Sequence, residues 1–426
     1  MESGERRSLL RRYLDFPLIW KLFIALVLGA AAGLILGPRA EVLQPLGDLF
    51  LRLLQMLIVP LVLFTLVVGV SSIGPARLGR IGGKVFLYYM LTSVVAITLG
   101  IALALFVRPG GGLSMPGAAG EEPAEAPPIG ETLLNIVPEN PFAAMVEGNV
   151  LAVIFFAVLV GLALGAMQSS ADERLRELAG LARRLFDAGA EVMFLIVRGV
   201  LEYAPVGVFA LIAVTLGEVG AEALLPLARL TGVVYGGVAL QIGFYALLLL
   251  LFGVSLRRFF LAAREPMLTA FVTRSSSGTL PVSIRAAESM GVRKGVHGFS
   301  LPFGATVNMD GTALYVGAAV VFVAGVSGVE LGFGQLLGVV LVGVLASIGT
   351  AGVPGAGLIM LSLAITQAGL PFAAVALVAG IDAILDMART MCNVTGDLTG
   401  TRLVAQTEEG MLDEKRGAPE ARLAAG

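Results

Sequence analysis

The chain has 426 residues, of which 57% are hydrophobic and only 14% charged, with a mean hydropathy of +0.90. Globular chains carry about 25% charged residues, so a soluble fold is excluded and an integral membrane protein with spans of about 20 apolar residues is indicated. The net charge of −2 gives no basis for nucleic-acid binding, the single Cys392 excludes an internal disulfide or thiolate cluster, and the lone His297 removes most histidine chemistry.

The start, with Arg6, Arg7, Arg11 and Arg12 and no cleavage-like site behind them, reads as a cytoplasmic tail, and Trp20 as an interfacial anchor. Apolar segments at 17–37, 45–73, 84–107, 148–168, 190–216, 223–254, 299–325 and 372–404 are eight predicted spans, with two more broken segments at 266–291 and 333–369. Arg77, Arg80 and Lys84 follow the second span, Arg174, Arg176, Arg183 and Arg184 the fourth, and Arg257, Arg258 and Arg264 the sixth. The positive-inside rule makes these loops cytoplasmic. The stretch 109–147, with six Glu and no Lys or Arg beyond position 108, lies outside.

Segment 266–291 has basic residues on both flanks and Arg274-Ser-Ser-Ser-Gly-Thr-Leu-Pro281 in its middle. A re-entrant hairpin keeps both flanks inside, and irregular backbone at membrane depth is tolerated where it is buried or lines a cavity. The same holds for 333–369, centred on Ser347-Ile-Gly-Thr-Ala-Gly-Val-Pro-Gly-Ala-Gly357 and entering from outside. Corresponding Gly/Pro-interrupted segments point to a transporter built from inverted repeats. His297, after Arg293 and Lys294, reads as a cytoplasmic surface residue, Cys392 as a packing residue, and 409–426 as a solvated tail.

The eighth span carries Asp382, Asp386, Arg389, Thr390, Asn393 and Asp397, which at 100° per residue share about 100° of arc. Such a stripe suits a polar ligand; the alternative is that its charges pair with one another or with neighbouring helices. In the seventh span, Asn308 and Gly311 are poor helix formers, so an opened backbone there would free carbonyl oxygens for a hard cation. Asp310 and Asp397 are the candidate carboxylates, and a kink without an ion is the alternative. No P-loop is present (Gly82-Gly83-Lys84 is followed by Val85) and no histidine or lysine lies in the polar spans to activate a serine, which speaks against a primary pump and an intramembrane hydrolase.

Arg274 to Pro281, Asn308-Met-Asp-Gly-Thr312, Gly349-Thr-Ala-Gly-Val-Pro-Gly355 and Asp386 to Asp397 resemble the dicarboxylate/amino acid:cation symporters, especially the archaeal aspartate transporters, from Arg11 to about Glu408. The resemblance implies an all-α polytopic membrane protein with eight spans and two re-entrant hairpins (about 258–291 and 333–369), a homotrimer in the inner membrane with cytoplasmic termini, and an elevator mechanism. It implies a trimerisation scaffold at 12–74 and 130–220, a transport domain at 78–108 and 223–408, an extracellular loop at 109–129 and a flexible tail at 409–426.

The family roles, carried over by motif, give Asp386 the substrate ammonium and Arg389 its side-chain carboxylate. Asn393 and Thr312, with Thr390 and Arg274 nearby, would take the α-carboxylate and surrounding polar atoms, and Ser276, Ser277 and Val353 to Gly357 would close around the substrate. Sodium ions, co-transported, would bind at Gly304, Asn308, Asn393 and Asp397, at Thr306, Ser347, Ile348 and Thr350, and at Tyr89, Thr92, Ser93, Asn308 and Asp310. The expected substrate is L-aspartate or L-glutamate. Proton-coupled glutamate, aspartate or dicarboxylate symport is the alternative, and an ion channel the rival of another class. Val316, where potassium-coupled relatives have an acidic residue, implies neither potassium nor proton coupling there, and Ala388 replaces a glycine usual in the archaeal proteins.

Overall fold

The computed structural model describes residues 18–71, 80–112, 137–347 and 355–413. Among these the chain is helical, and one isolated β-bridge joins Val292 to Leu412. Helix α1 (Leu18–Leu36) runs through a 3-10 turn into α2 (Gln44–Ser71), followed by α3 (Arg80–Val107), a short α4 (Pro141–Glu147) and α5 (Val150–Gln168). Next come α6 (Glu173–Val219), α7 (Leu224–Leu251), α8 (Leu256–Thr273), α9 (Ser276–Ser289) and α10 (Lys294–Val307). The chain closes with α11 (Asp310–Ser327), α12 (Phe333–Ser347), α13 (Ala356–Gln367) and α14 (Val375–Gln406).

Five stretches of the described residues are long and apolar enough to cross a membrane: Trp20–Ser71, Arg80–Val107, Glu173–Gly217, Gly220–Leu251 and Lys294–Ser327. The first of these holds two helices. Helix α14 is also long enough, at 32 residues, but its polar stripe lowers its hydropathy. The basic segment 174–184, expected as a loop, is instead the first part of α6, capped by Asp172, whose side chain accepts from the Arg174 amide at 2.9 Å. At 47 residues this helix is about 70 Å long, roughly twice the hydrocarbon thickness, so continuous helix replaces the expected boundary between loop and span. Helix α4 was not foreseen within the outside stretch. Asn140 starts it by accepting from the Phe142 and Ala143 amides, and Gly148 ends it at φ 71°.

Between α8 and α9 the chain reverses over two residues. Arg274 sits in the left-handed region at φ 54°, and Ser275 caps α9 through its hydroxyl oxygen, which accepts from the Gly278 amide at 3.0 Å. The corresponding turn between α12 and α13, with Ile348, Thr350 and Val353, lies outside the described residues. The seventh span is broken as its sequence suggests. Asn308 (φ −95°, ψ 88°) and Met309 (φ −112°, ψ 47°) are not helical, and α11 restarts at Asp310.

Helices α1, α2, α5 and α6 pack on one another, and α3 packs with α7, α10, α11, α12 and α14. At the centre of the second group lies α11, buried along its whole length except at Gly325. Such a helix has no solvated face and serves as a core. Between the groups, α13 meets α2 and α5, and α14 meets α1 and α6.

Two expectations are corrected at the end near α10. His297 is buried (4% exposed) with Nε2 3.8 Å from Glu288, because the first turn of α10 packs inward between α9 and α14. Residues 411–413, placed in a solvated tail, pair with the α9–α10 turn: the Arg293 amide donates to the Met411 carbonyl at 3.0 Å and the Asp413 amide to the Gly291 carbonyl at 2.8 Å.

Candidate substrate and cation site

The polar stripe of α14 is buried against α7, α8, α11 and α13. Asp382, Asp386, Arg389, Thr390, Asn393 and Asp397 are all at most 5% exposed. Burying so many polar groups in an apolar chain costs free energy unless each finds a partner, and the partners divide the stripe into two clusters.

The first surrounds Arg389. Its Nη1 donates to Asp382 Oδ1 at 2.7 Å, its Nη2 lies 2.9 Å from Asp386 Oδ1, and its guanidinium carbon stands 4.0 Å from the centroid of the Tyr315 ring. Arg274, from the α8–α9 turn, approaches Asp386 Oδ2 to 4.0 Å. The Gly355 amide donates to the same oxygen and the Thr390 hydroxyl to Asp386 Oδ1, both at 3.4 Å. Two carboxylates thus face two guanidinium groups. Within this balance, Arg389 Nε and Nη2 make no hydrogen bond, so the fork retains buried donors for another anion. Gly357 makes room for it, since a Cβ at that position would stand 2.6 Å from the guanidinium carbon.

The second cluster lies where the α10–α11 break meets α3, α7 and α14. Asn308 Nδ2 donates to Asp397 Oδ1 at 2.9 Å and to the Asn393 carbonyl at 3.3 Å. Asp310 Oδ1 accepts from Ser93 at 2.7 Å and Oδ2 from Tyr245 at 2.5 Å. Among the described residues no Lys or Arg lies within ion-pair distance of Asp310 or Asp397. Two acceptors there, Asn308 Oδ1 and Gln241 Oε1, are buried without donors. Carboxylates without a basic neighbour, beside neutral oxygens without donors, form an environment that a hard cation satisfies.

The two clusters share Asn393. Its Oδ1 accepts from the Gly311 amide at 2.8 Å, while Nδ2 faces Met309 Sδ at 3.2 Å and Thr312 Oγ1 at 3.4 Å. Close approach of α11 to α14 requires Gly311, where a Cβ would stand 2.4 Å from the Arg389 carbonyl oxygen.

Of the residues singled out from sequence, Arg274, Gly357, Asp386, Arg389 and Thr390 therefore meet in the first cluster, and Ser93, Asn308, Asp310 and Asp397 in the second, with Asn393 and Thr312 between. Gly304 borders Asp397, where a Cβ would clash with its Oδ1. Tyr89 donates to the Ser300 carbonyl at 3.0 Å and Thr92 to the Tyr89 carbonyl at 3.2 Å. Thr306 and Ser347 spend their hydroxyls on carbonyls of their own helices, and Ser276 is buried at the start of α9 while Ser277 is exposed. Sequence reading assigned no role to Tyr245, Gln241 or Tyr315. Tyr245 and Gln241 lie on a mostly apolar α7 without a local motif, whereas Tyr315 follows Asn308-Met-Asp-Gly-Thr312 by one turn and was within reach.

A family model described as the sodium:dicarboxylate symporter family matches residues 18–407. The chain is similar to a proton/sodium-glutamate symport protein of Geobacillus stearothermophilus, 34% identical over 418 residues that cover 94% of this chain and 96% of the relative. It is 35% identical to a proton/glutamate-aspartate symporter of Escherichia coli, with 95% of both chains covered. A C4-dicarboxylate transport protein of Bacillus subtilis is 31% identical, with 93% of this chain and 94% of the relative covered.

Proposed function

We propose that this chain, which belongs to the sodium:dicarboxylate symporter family, imports an acidic amino acid, aspartate or glutamate, together with sodium ions. The observation that carries the reading is the contrast between the clusters: Asp382 and Asp386 have arginine partners, whereas Asp310 and Asp397 have none among the described residues. An uncompensated buried carboxylate is costly, and a mobile cation removes that cost only while bound. A proton would neutralise one carboxylate and add a single O–H donor, whereas a metal cation takes carboxylate and neutral oxygens together as ligands, which suits a cluster with both.

In the first cluster the substrate replaces internal partners. Its ammonium takes the place of Arg389 at Asp386, and its side-chain carboxylate occupies the free fork of Arg389. Each internal pair given up is exchanged for one of the same type, which keeps substrate exchange reversible. Asn393 and the α10–α11 break touch both clusters, so ion and substrate affinities are linked reciprocally.

The homotrimer, the two re-entrant hairpins and the elevator movement belong to the same proposal. In support, α12 and α13 touch α2 and α5 besides packing on α11, whereas α8 and α9 pack chiefly on each other, α10 and α14. That asymmetry fits one transport unit displaced along a scaffold of α1, α2, α5 and α6, with α8 and α9 released toward the cytoplasm.

The names of the relatives favour a second reading, in which protons drive uptake. Uptake of labelled aspartate into proteoliposomes separates the two. An inward sodium gradient should drive accumulation at equal pH on both sides. Accumulation driven by a pH gradient in the absence of sodium would replace sodium with the proton, and labelled succinate competing as well as aspartate would replace the amino acid with a dicarboxylate.

A further inference from the structure

Resting on the reading of Asp310 as a cation-binding carboxylate, we propose that Tyr245 of α7 is a positioning residue for it. Asp310 is fully buried and opens α11 directly after the helix break, so its own backbone restrains it on one side only. Its orientation is set by two hydroxyls from different helices, Ser93 of α3 on Oδ1 and Tyr245 of α7 on Oδ2. Tyr245 is itself fully buried and wedged against α14, with its hydroxyl 3.9 Å from Cys392 Sγ. At Gly396 an added Cβ would stand 2.7 Å from that hydroxyl oxygen.

One turn earlier on α7, Gln241 reaches the same region, with Nε2 3.5 Å from the Thr92 carbonyl. The carboxylate is therefore held from two helices, in the cluster that also contains the orphan oxygens of Gln241 and Asn308. Without the phenol, Oδ2 rotates and the carboxylate has to be reordered each time a cation binds. Preorganised ligands bind more tightly because that ordering cost is already met.

Tyr245→Phe removes the hydroxyl and keeps the ring. In purified protein without substrate, the sodium concentration giving half-maximal thermal stabilisation should rise about tenfold, the scale of one charge-assisted hydrogen bond, while aspartate affinity at saturating sodium moves less than about twofold. The control is Tyr235→Phe, which removes another α7 hydroxyl, one that donates to the Ile384 carbonyl at 2.9 Å; its sodium midpoint should match that of the wild type. A Tyr245→Phe protein with a lowered melting temperature but an unshifted sodium midpoint would reduce Tyr245 to a structural residue, and an equal shift in Tyr235→Phe would overturn the assignment too. A wild-type protein without any sodium response would overturn the sodium reading itself, so the two failures are distinct.

Discussion

Arg389 carries the selectivity prediction because its guanidinium is fully buried and its Nε and Nη2 make no hydrogen bond, which offers a planar fork to a second carboxylate. Arg389→Cys should cost aspartate about two to four decades of affinity, since each charge-assisted hydrogen bond of the pair is worth about 1.5–3 kcal/mol, while serine and alanine gain. Calorimetric titration with aspartate and serine tests this, and a persistent preference for aspartate would remove Arg389 from its role. Asp386→Ala differs in kind. Asp382 still holds Arg389 at 2.7 Å, so the arginine keeps its place and the loss should fall on all α-amino substrates alike. The same guanidinium is sensitive to its far wall. Gly357→Ala pushes against an arginine that cannot retreat because Asp382 anchors it, so aspartate affinity should fall about 10- to 100-fold, the 1.4–2.8 kcal/mol expected of one displaced charged contact, with the melting temperature little changed. A large loss of melting temperature with unchanged affinity would show that the backbone of α13 yields instead.

At the scale of elements, the start of α3 and the end of α14 are clasped together. Glu408, just past α14, lies 2.6 Å from Lys84 and 3.0 Å from Arg80, and Lys84 also donates to Thr407. The Lys84 hydrogen bond, with Arg80 nearby, holds the Glu408 carboxyl below the usual glutamate value. A depressed carboxyl stabilises the folded chain above the unfolded value of about 4.3 and loses that contribution as pH falls through the folded value. Relative to the intrinsic amide rate, hydrogen exchange of the α14 C-terminus should therefore accelerate below about pH 4 in the wild type. In Glu408→Gln it should be faster at neutral pH and less sensitive to acid; identical profiles in the two proteins would mean that the clasp holds nothing. The pairing of 411–413 with 291–293 extends the same clasp to the α9–α10 turn, so residues 408–413 tie α3, α10 and α14 together.

For the whole molecule, the prediction concerns which side the α8–α9 turn faces. Ser277 is exposed at that turn and Cys392 is fully buried, so Ser277→Cys can be labelled with a membrane-impermeant thiol reagent in the otherwise native chain. With a re-entrant hairpin, Ser277→Cys and Lys294→Cys should both react from the cytoplasmic side. Reaction of Ser277→Cys from the outside only, with Lys294→Cys reacting from the inside, would make α8 and α9 two full spans.

Membrane class, most helix positions, the break at Asn308 and the membership of the polar stripe were legible in the sequence, because each depends on residues within a few turns of one another: apolar runs of span length, poor helix formers in mid-span, and a 3.6-residue period that gathers Asp382 to Asp397 on one side. The fusion of 174–184 with the fifth span was not legible, since charged and apolar helix look alike to a hydropathy reading that marks only the apolar part. Nor was the burial of His297, which depends on α9 and α14 closing over it. Above all, a stripe of charges does not reveal its partners. Pairing of Arg389 with Asp382 and Asp386 stays within α14 and was one of the two outcomes open from sequence, whereas tertiary packing alone decided that Arg274 from the α8–α9 turn approaches Asp386, that Tyr245 from a motif-free α7 reaches Asp310, and that Asp310 and Asp397 are left without a basic neighbour among the described residues. The physical reason is range: a helix period is set by local backbone geometry, whereas polar pairing in a low-dielectric interior is settled over a few ångströms between helices far apart in the chain, as with Ser93 and Asp310.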